Sequence, residues 1–505
     1  MHLDDDAVPV DVALADPAGV DIDVLILPTP EHEDPPRVGV LPDAVTARLR
    51  DAVASRAFTG KAGSVFSTPV DDPGWRPRRI LLAGIGKRDV STADDLRRAA
   101  TAAALAARDG KLRRVGLLLP GIRSGAEEAR AAAEGLLLAA YHTGSHKTEA
   151  DALPVSFERF VVLSGDADAS GLIAPAAARG AVLGACSNLA RALANEPGNL
   201  MTPSIFADLA ADIGRSAGLA VDVLDEAQIE ALGMRLLLGV GRGSVERPRV
   251  VVLRYEPAHP RDGVLLALVG KGVTFDAGGI SLKGSDGMFR MKNDMSGGAA
   301  VVAAMKAMTS LAPDIRVVGI VPLVENMPGG RALKPGDVVR SADGKTVEIL
   351  DTDAEGRLIL ADALWYARTL GATHLVDVAT LTGAIGVALG RTTTGLFGAP
   401  AWWTDLVGRT AAEAGDRTWL MPLFDDYRDQ LRSDIADLTN VGGRPAGSIT
   451  AAMFLKEFTG GLPWAHLDIA STAWAEEARP HQPKGPTGVA VRTLALLAET
   501  AGEWR

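Results

Sequence analysis

Every position of the run Val264-Leu265-Leu266-Ala267-Leu268-Val269 is apolar, so a strand built from it has no face to offer to water. Such a strand must be covered on both sides, and the common solution is an interior parallel sheet flanked by helices. Further strand candidates follow at residues 317–321, 346–350 and 374–379, with helical stretches at 296–309 and 356–370 between them. The first third alternates in the same way. Short apolar runs at 24–27, 80–83, 115–119 and 160–163 are interleaved with Ala-rich helical stretches at 94–108 and 126–141. The expectation is a smaller N-terminal α/β domain over residues 1–170 and a larger C-terminal α/β domain over residues 171–505. The larger one would hold a central mixed, mainly parallel sheet. A helical run over 174–194 bridges the two, and Asn195-Glu196-Pro197-Gly198-Asn199 stops it. In the first domain, Gly84-Ile85-Gly86-Lys87-Arg88 lacks the spacing and the Ser/Thr of a phosphate loop and reads as a tight turn.

Two segments concentrate charge among glycines. The first runs from Gly270-Lys271-Gly272 through Asp276, Gly278-Gly279 and Lys283 to Met291-Lys292-Asn293-Asp294; the second is Asp351-Thr352-Asp353-Ala354-Glu355-Gly356-Arg357-Leu358. Both follow apolar strands, and open α/β sheets place ligands in the crevice beyond the carboxyl ends of their strands. Asp276, Asp294, Asp353 and Glu355 are hard oxygen donors, and carboxylates can bridge two divalent ions. Any one of these acids alone reads as a helix cap or a solvated loop residue. Four together in glycine-dense loops read as a metal centre. Cys186 is the only cysteine, and the eight histidines form no HExxH pattern, so such a centre must rely on oxygen and lysine nitrogen.

The choice of lysine sharpens this reading. The chain uses 12 lysines against 40 arginines, yet Lys271, Lys283 and Lys292 fall within 22 residues. An ammonium can lose its proton to become a ligand, or act as a compact charge on an oxyanion, whereas a guanidinium stays charged. The competing reading of Lys271 and Lys283 is ion pairing with the nearby acids; Lys292 reads as structural. Arg357, opening a helix, presents a fork suited to a carboxylate-like anion.

These residues closely resemble the M17-type leucyl aminopeptidases, the cytosol aminopeptidases. The eight residues 351–358 nearly match the family signature NTDAEGRL, and residues 269–295 match its second motif. Stretches 195–203, 239–244, 380–383 and 466–470 support the match, which covers roughly residues 175–495. The resemblance implies a metal-dependent aminopeptidase that hydrolyses N-terminal, preferentially leucine-like, residues by way of a two-metal-activated water. It implies that Asp276, Asp353 (also through its main-chain carbonyl) and Glu355 hold one ion. Lys271, Asp276, Asp294 and Glu355 would hold the other. The two ions per subunit would be zinc or manganese, with magnesium possible at the exchangeable position. Lys283 would polarise the scissile carbonyl, and Arg357 would hold a bicarbonate acting as general base. Leu381 and Gly383 would contact the substrate backbone, and Met291, Thr380, Ala470 and Ala473 would line the side-chain pocket. The sequence departs from the family at Asp351, commonly Asn, and at Gly284, often Pro; the direction of either effect stays open.

The resemblance also implies a homohexamer acting on peptides. The same metal site on a phosphoesterase is the rival reading, with Arg357 binding phosphate. Some bacterial relatives also act as DNA-binding regulators, but a net charge of −11 and isolated pairs such as Arg97-Arg98 and Arg113-Arg114 make no basic stripe, so no nucleic-acid partner is expected. The acidic start Met-His-Leu-Asp-Asp-Asp lacks the order of a secretory signal, and no uninterrupted apolar run approaches the roughly 18 residues of a membrane span. The expectation is a cytoplasmic protein without a membrane partner.

Overall fold

The computed structural model describes residues 8–33, 41–149, 153–165 and 170–504; the acidic N-terminal hexapeptide lies outside them. The chain divides into two compact units, Met1–Asn188 with Glu476–Gly485, and Leu189–Ala475 with Pro486–Arg505.

The first unit contains β1 (Val10–Ala13), β2 (Val24–Thr29), α1 (Asp43–Ala54), β3 (Val65–Pro69), β4 (Arg79–Gly84), α2 (Ala93–Asp109), β5 (Arg114–Leu118), α3 (Gly125–Leu138) and β6 (Arg159–Leu163). Its six strands run in the order β1-β6-β5-β2-β4-β3, parallel except for the edge strand β3. Helix α2 starts where Thr92 and Asp95 exchange hydrogen bonds in a capping box. Its buried alanines, among them Ala99, Ala103 and Ala107, let it pack closely in the core that α3 shares. After β4 the chain turns as expected, with Gly86 at φ +77° and its carbonyl accepting from the Glu31 N–H at 2.8 Å.

The bridging run is helix α4 (Ser170–Asn195), and the division between the units falls within it. Its stretch Gly171–Asn195 is long and apolar enough, by length and composition alone, to cross a bilayer. No uninterrupted apolar run marks it, because the apolarity is spread between Arg179, Asn188 and Arg191.

The second unit contains α5 (Pro203–Ser216), β7 (Ala220–Leu224), α6 (Glu226–Ala231), α7 (Arg235–Gly241), β8 (Arg249–Tyr255), β9 (Leu265–Gly270), β10 (Gly272–Asp276), α8 (Ser296–Leu311) and β11 (Arg316–Asn326). It continues through β12 (Val338–Arg340), β13 (Thr346–Glu348), α9 (Gly356–Thr369), β14 (His374–Ala379), α10 (Gly383–Leu389), β15 (Thr394–Ala399), β16 (Thr418–Leu420), β17 (Leu438–Thr439) and β18 (Trp464–Asp468). Nine strands form one mixed sheet in the order β16-β15-β18-β14-β9-β11-β8-β7, with β10 beside β11. The middle, β18-β14-β9-β11, is parallel, and antiparallel pairs lie towards both edges. Strand β9 is the apolar run of residues 264–269, and both of its faces are covered. One packs into a core with α7 and α9, the other against α8.

Two details depart from the sequence reading. The apolar run does not end in a loop. After Lys271 the chain resumes as β10, so the long β11 pairs with β9 over residues 316–320 and with β10 over residues 323–326. The strand expected at 346–350 is the three-residue β13, which belongs to a separate small sheet, β12-β13-β17. The second acidic loop is therefore carried by an accessory sheet, not by the central one.

Candidate metal centre

The carboxyl ends of the parallel strands bring the charged residues together. Asp276 is the last residue of β10, Lys271 sits in the break between β9 and β10, and Asp294 lies two residues before α8. Asp353 and Glu355 come from the loop that leads into α9, Glu355 as the residue next to its first turn. Carboxylate oxygens of Asp276, Asp353 and Glu355 all lie within 4.8 Å of one another. Gly278, at φ +90°, turns the loop after β10 back on itself, and a Cβ there would lie 2.8 Å from Asp353 Oδ1. Gly356 gives similar room. A Cβ on it would come within 2.8 Å of Lys271 Nζ.

Each lysine bridges two acids. Lys271 Nζ lies 2.9 Å from Asp294 Oδ2 and 2.7 Å from Glu355 Oε1, and donates to the Thr380 carbonyl at 2.9 Å. Lys283 Nζ lies 2.7 Å from Asp276 Oδ2 and also contacts Asp353 Oδ1. Both lysines thus pair with acids of the predicted cluster. Burial works against both ammoniums, but the surrounding carboxylates outweigh it and hold their protons more tightly than usual. The acids respond in the opposite sense. Burial, together with the charge of Asp276, raises Asp294, Glu355 and Asp353 above the ordinary carboxylate range, with the lysines only partly compensating. Among the described residues, the buried Asp294 Oδ2 and Asp353 Oδ1 meet only the ammoniums of Lys271 and Lys283. Four converging carboxylates, two of them with a buried oxygen that meets only an ammonium, fit divalent cations by charge and by donor type.

Arg357, on the first turn of α9, is buried and donates to the Asn440 carbonyl at 2.8 Å. Burial lowers it to about 10, opposed by Glu355, Asp468 and Asp351. The residues expected around a substrate fall at the same edge of the sheet. Thr380, Leu381 and Gly383 follow β14, Ala470 and Ala473 follow the adjacent β18, and Met291 lies on a short 3-10 turn before Asp294. Thr380 does something not foreseen, donating its hydroxyl to Asp294 Oδ1 at 2.7 Å. Lys292 is directed elsewhere, to the Asn195 carbonyl.

Several supporting residues escape sequence reasoning. Thr352 and Ser281 join the two acidic loops, Ser281 N–H to Thr352 Oγ1 at 2.8 Å and Thr352 N–H to Ser281 Oγ at 3.1 Å. Asp468, buried at the end of β18, accepts from the Leu381, Thr382 and Ala470 N–H groups and from the Thr382 hydroxyl, tying the two substrate-side segments together. Asn326, at the end of β11, touches the acids directly. The stretch 466–470 was a signal for Asp468; Thr352 and Ser281 lie inside the two motifs, where nothing marked their own roles, and Asn326 lies outside every motif. Asp351 accepts the Asp353 N–H at 2.9 Å, a bond that Asn could also accept, so this departure preserves the turn.

Residues 188–495 match the model of the cytosol aminopeptidase family's catalytic domain, and residues 27–150 match that of its N-terminal domain. A probable cytosol aminopeptidase of Solibacter usitatus is 47% identical over 95% of this chain and 96% of its own length. One from Koribacter versatilis is 40% identical over 98% and 100%. Among solved structures, the bottromycin maturation enzyme BotP in complex with Mn superposes with a TM-score of 0.83 at 38% identity, covering 95% of this chain and 99% of that one. A tomato leucine aminopeptidase point mutant superposes with a TM-score of 0.88 at 31% identity, covering 98% and 96%.

Proposed function

The chain belongs to the cytosol aminopeptidase family and is therefore an aminopeptidase, and we propose that it is a two-metal enzyme releasing leucine-like N-terminal residues from peptides. The observation that carries this reading is the convergence of Asp276, Asp353 and Glu355 within 4.8 Å, with Lys283 reaching into the cluster. Asp276, Asp353 with its carbonyl, and Glu355 would hold one cation; Lys271, Asp276, Asp294 and Glu355 would hold the other. Zinc or manganese suits these donors, and magnesium the more exchangeable position. Two ions held by these residues would supply an acidified water and Lewis-acid polarisation of the scissile carbonyl.

The protein's own groups do the rest. Lys283 is partly exposed, as is Asp353, while Asp276 is buried, and this exposure supports a role facing the substrate. Its ammonium would donate to the carbonyl oxygen as negative charge develops there. Arg357 stays charged despite burial and would hold a bicarbonate, whose contribution when bound is to accept a proton from water. Backbone groups of Leu381 and Gly383 would align the peptide. Met291, Thr380, Ala470 and Ala473 offer medium-sized apolar contacts, hence the leucine preference. The relatives' name supports a cytoplasmic setting, and we expect a homohexamer acting on peptides, with neither membrane nor nucleic acid as partner.

The test is turnover of leucine p-nitroanilide. Activity should be abolished by a chelator and by Asp353→Ala combined with Glu355→Ala, and restored to the wild type by Mn²⁺ or Zn²⁺. Chelator-insensitive turnover would contradict the proposal. Turnover of p-nitrophenyl phosphate in its place would assign the site to a phosphoesterase.

A further inference from the structure

We infer that Asn326 is a positioning residue that sets the distance between Asp276 and Glu355, the two carboxylates assigned to both ions. This rests on the two-metal reading above. Asn326 ends β11 directly opposite Asp276 in the parallel register, and it is 4% exposed. Its side-chain amide donates to Asp276 Oδ1 at 2.9 Å and to the Thr352 carbonyl at 3.0 Å, and it lies 3.4 Å from Glu355 Oε2. Its main-chain carbonyl accepts the Ala277 N–H at 2.9 Å. One residue thereby fastens the end of β10 to the second acidic loop, holding that loop both at Thr352 and at the entry to α9.

The chemistry requires a neutral donor. Two buried carboxylates this close repel each other, and an unrestrained pair would separate. An ammonium or guanidinium here would restrain them but would also compete with a cation for their charge. A fifth carboxylate would accept where donation is needed. An amide supplies two N–H bonds without altering the net charge of the site. The flipped amide would turn its oxygen towards two carboxylate oxygens, so the network itself fixes the orientation. The support is rigid, because β11 is a long, almost wholly buried strand hydrogen-bonded on both sides. The small residue Gly279 makes room for the group; a Cβ there would lie 2.8 Å from Asn326 Oδ1.

Because Asp276 and Glu355 are the shared ligands, loss of the amide should weaken both ions together, unlike loss of Asp294, which serves one. Asn326→Leu keeps the approximate shape and removes the donor; Asn326→Ser is a smaller second variant should the first not fold. The full-length protein, stripped by chelator, is titrated calorimetrically with Mn²⁺ alone, and the absorption spectrum is recorded at saturating Co²⁺. We expect the variants to bind two Mn²⁺ about 10- to 100-fold more weakly than the wild type, with altered Co²⁺ bands. A residue serving only stability would lower the melting temperature and leave affinity and spectrum in place. Wild-type affinity and an unchanged spectrum in a folded variant would overturn the inference while leaving the two-metal reading standing. A wild-type protein that binds no Mn²⁺ would overturn both.

Discussion

At Lys271 and Lys283 an ammonium does what a guanidinium could not. Lys271 threads past the missing side chain of Gly356 to reach Asp294 and Glu355 as a compact point charge on a flexible stem. Lys283 combines a buried anchor, Asp276, with partial exposure of its own side chain, which suits the substrate-facing role proposed for it. Lys283→Arg keeps the charge but spreads it and changes its reach. Its kcat on leucine p-nitroanilide should fall by about 100-fold, as for loss of an oxyanion donor, with KM changed by no more than a few-fold. An unaltered kcat would remove Lys283 from the reaction. The four acids and both lysines were legible in the sequence because charge in glycine-dense loops, and lysine in an arginine-rich chain, are unusual. Asn326, Thr352 and Ser281 were not, because an amide or a hydroxyl acquires meaning only when strand register sets it against a partner.

At the scale of elements, α9 joins the chemistry to the core. Its first turn carries Arg357, and Asp362 one turn further on is wholly buried, accepting N–H groups of Leu237 and Ala342 at 3.1 and 2.9 Å. Burial pushes the Asp362 carboxyl up to about 7, from an ordinary 3.8. A folded-state value above the unfolded one means that protonation favours the fold. The stability from this group is complete below about pH 4 and is lost as pH rises through about 7. Asp362→Asn removes the titration, so the wild-type advantage in unfolding free energy over this variant should shrink between pH 5 and pH 8, as urea unfolding would measure. A difference that does not vary with pH would contradict this account of Asp362. Helix α9 itself was expected at 356–370 and runs Gly356–Thr369. Strand β10 was not foreseen, because Lys271 and Gly272 break the apolar run that marks β9, and a strand of only five residues ending in Asp276 resembles a loop. The strand expected at 346–350 joins a separate small sheet as β13, and periodicity reveals a strand but not the sheet it joins.

For the whole molecule, one apolar run went far. A strand with no wettable face demanded helices on both sides, and the second unit is built that way around β9. Parallel strands then place their carboxyl ends along one edge, where loops distant in sequence converge. The same logic explains what stayed hidden. Apolar runs locate strands, but the hydropathy of α4 is diluted by polar residues at intervals and shows only when averaged over its length. Net charge proved uninformative, since only four of 63 acidic residues form the proposed centre. The central claim is that two cations share Asp276 and Glu355. Anomalous diffraction from crystals grown with Mn²⁺ or Zn²⁺ tests it most directly. The account predicts two peaks, both in contact with Asp276 and Glu355, one also touching Asp353 and the other touching Lys271 and Asp294. A single peak, or two peaks that do not share those carboxylates, would contradict it.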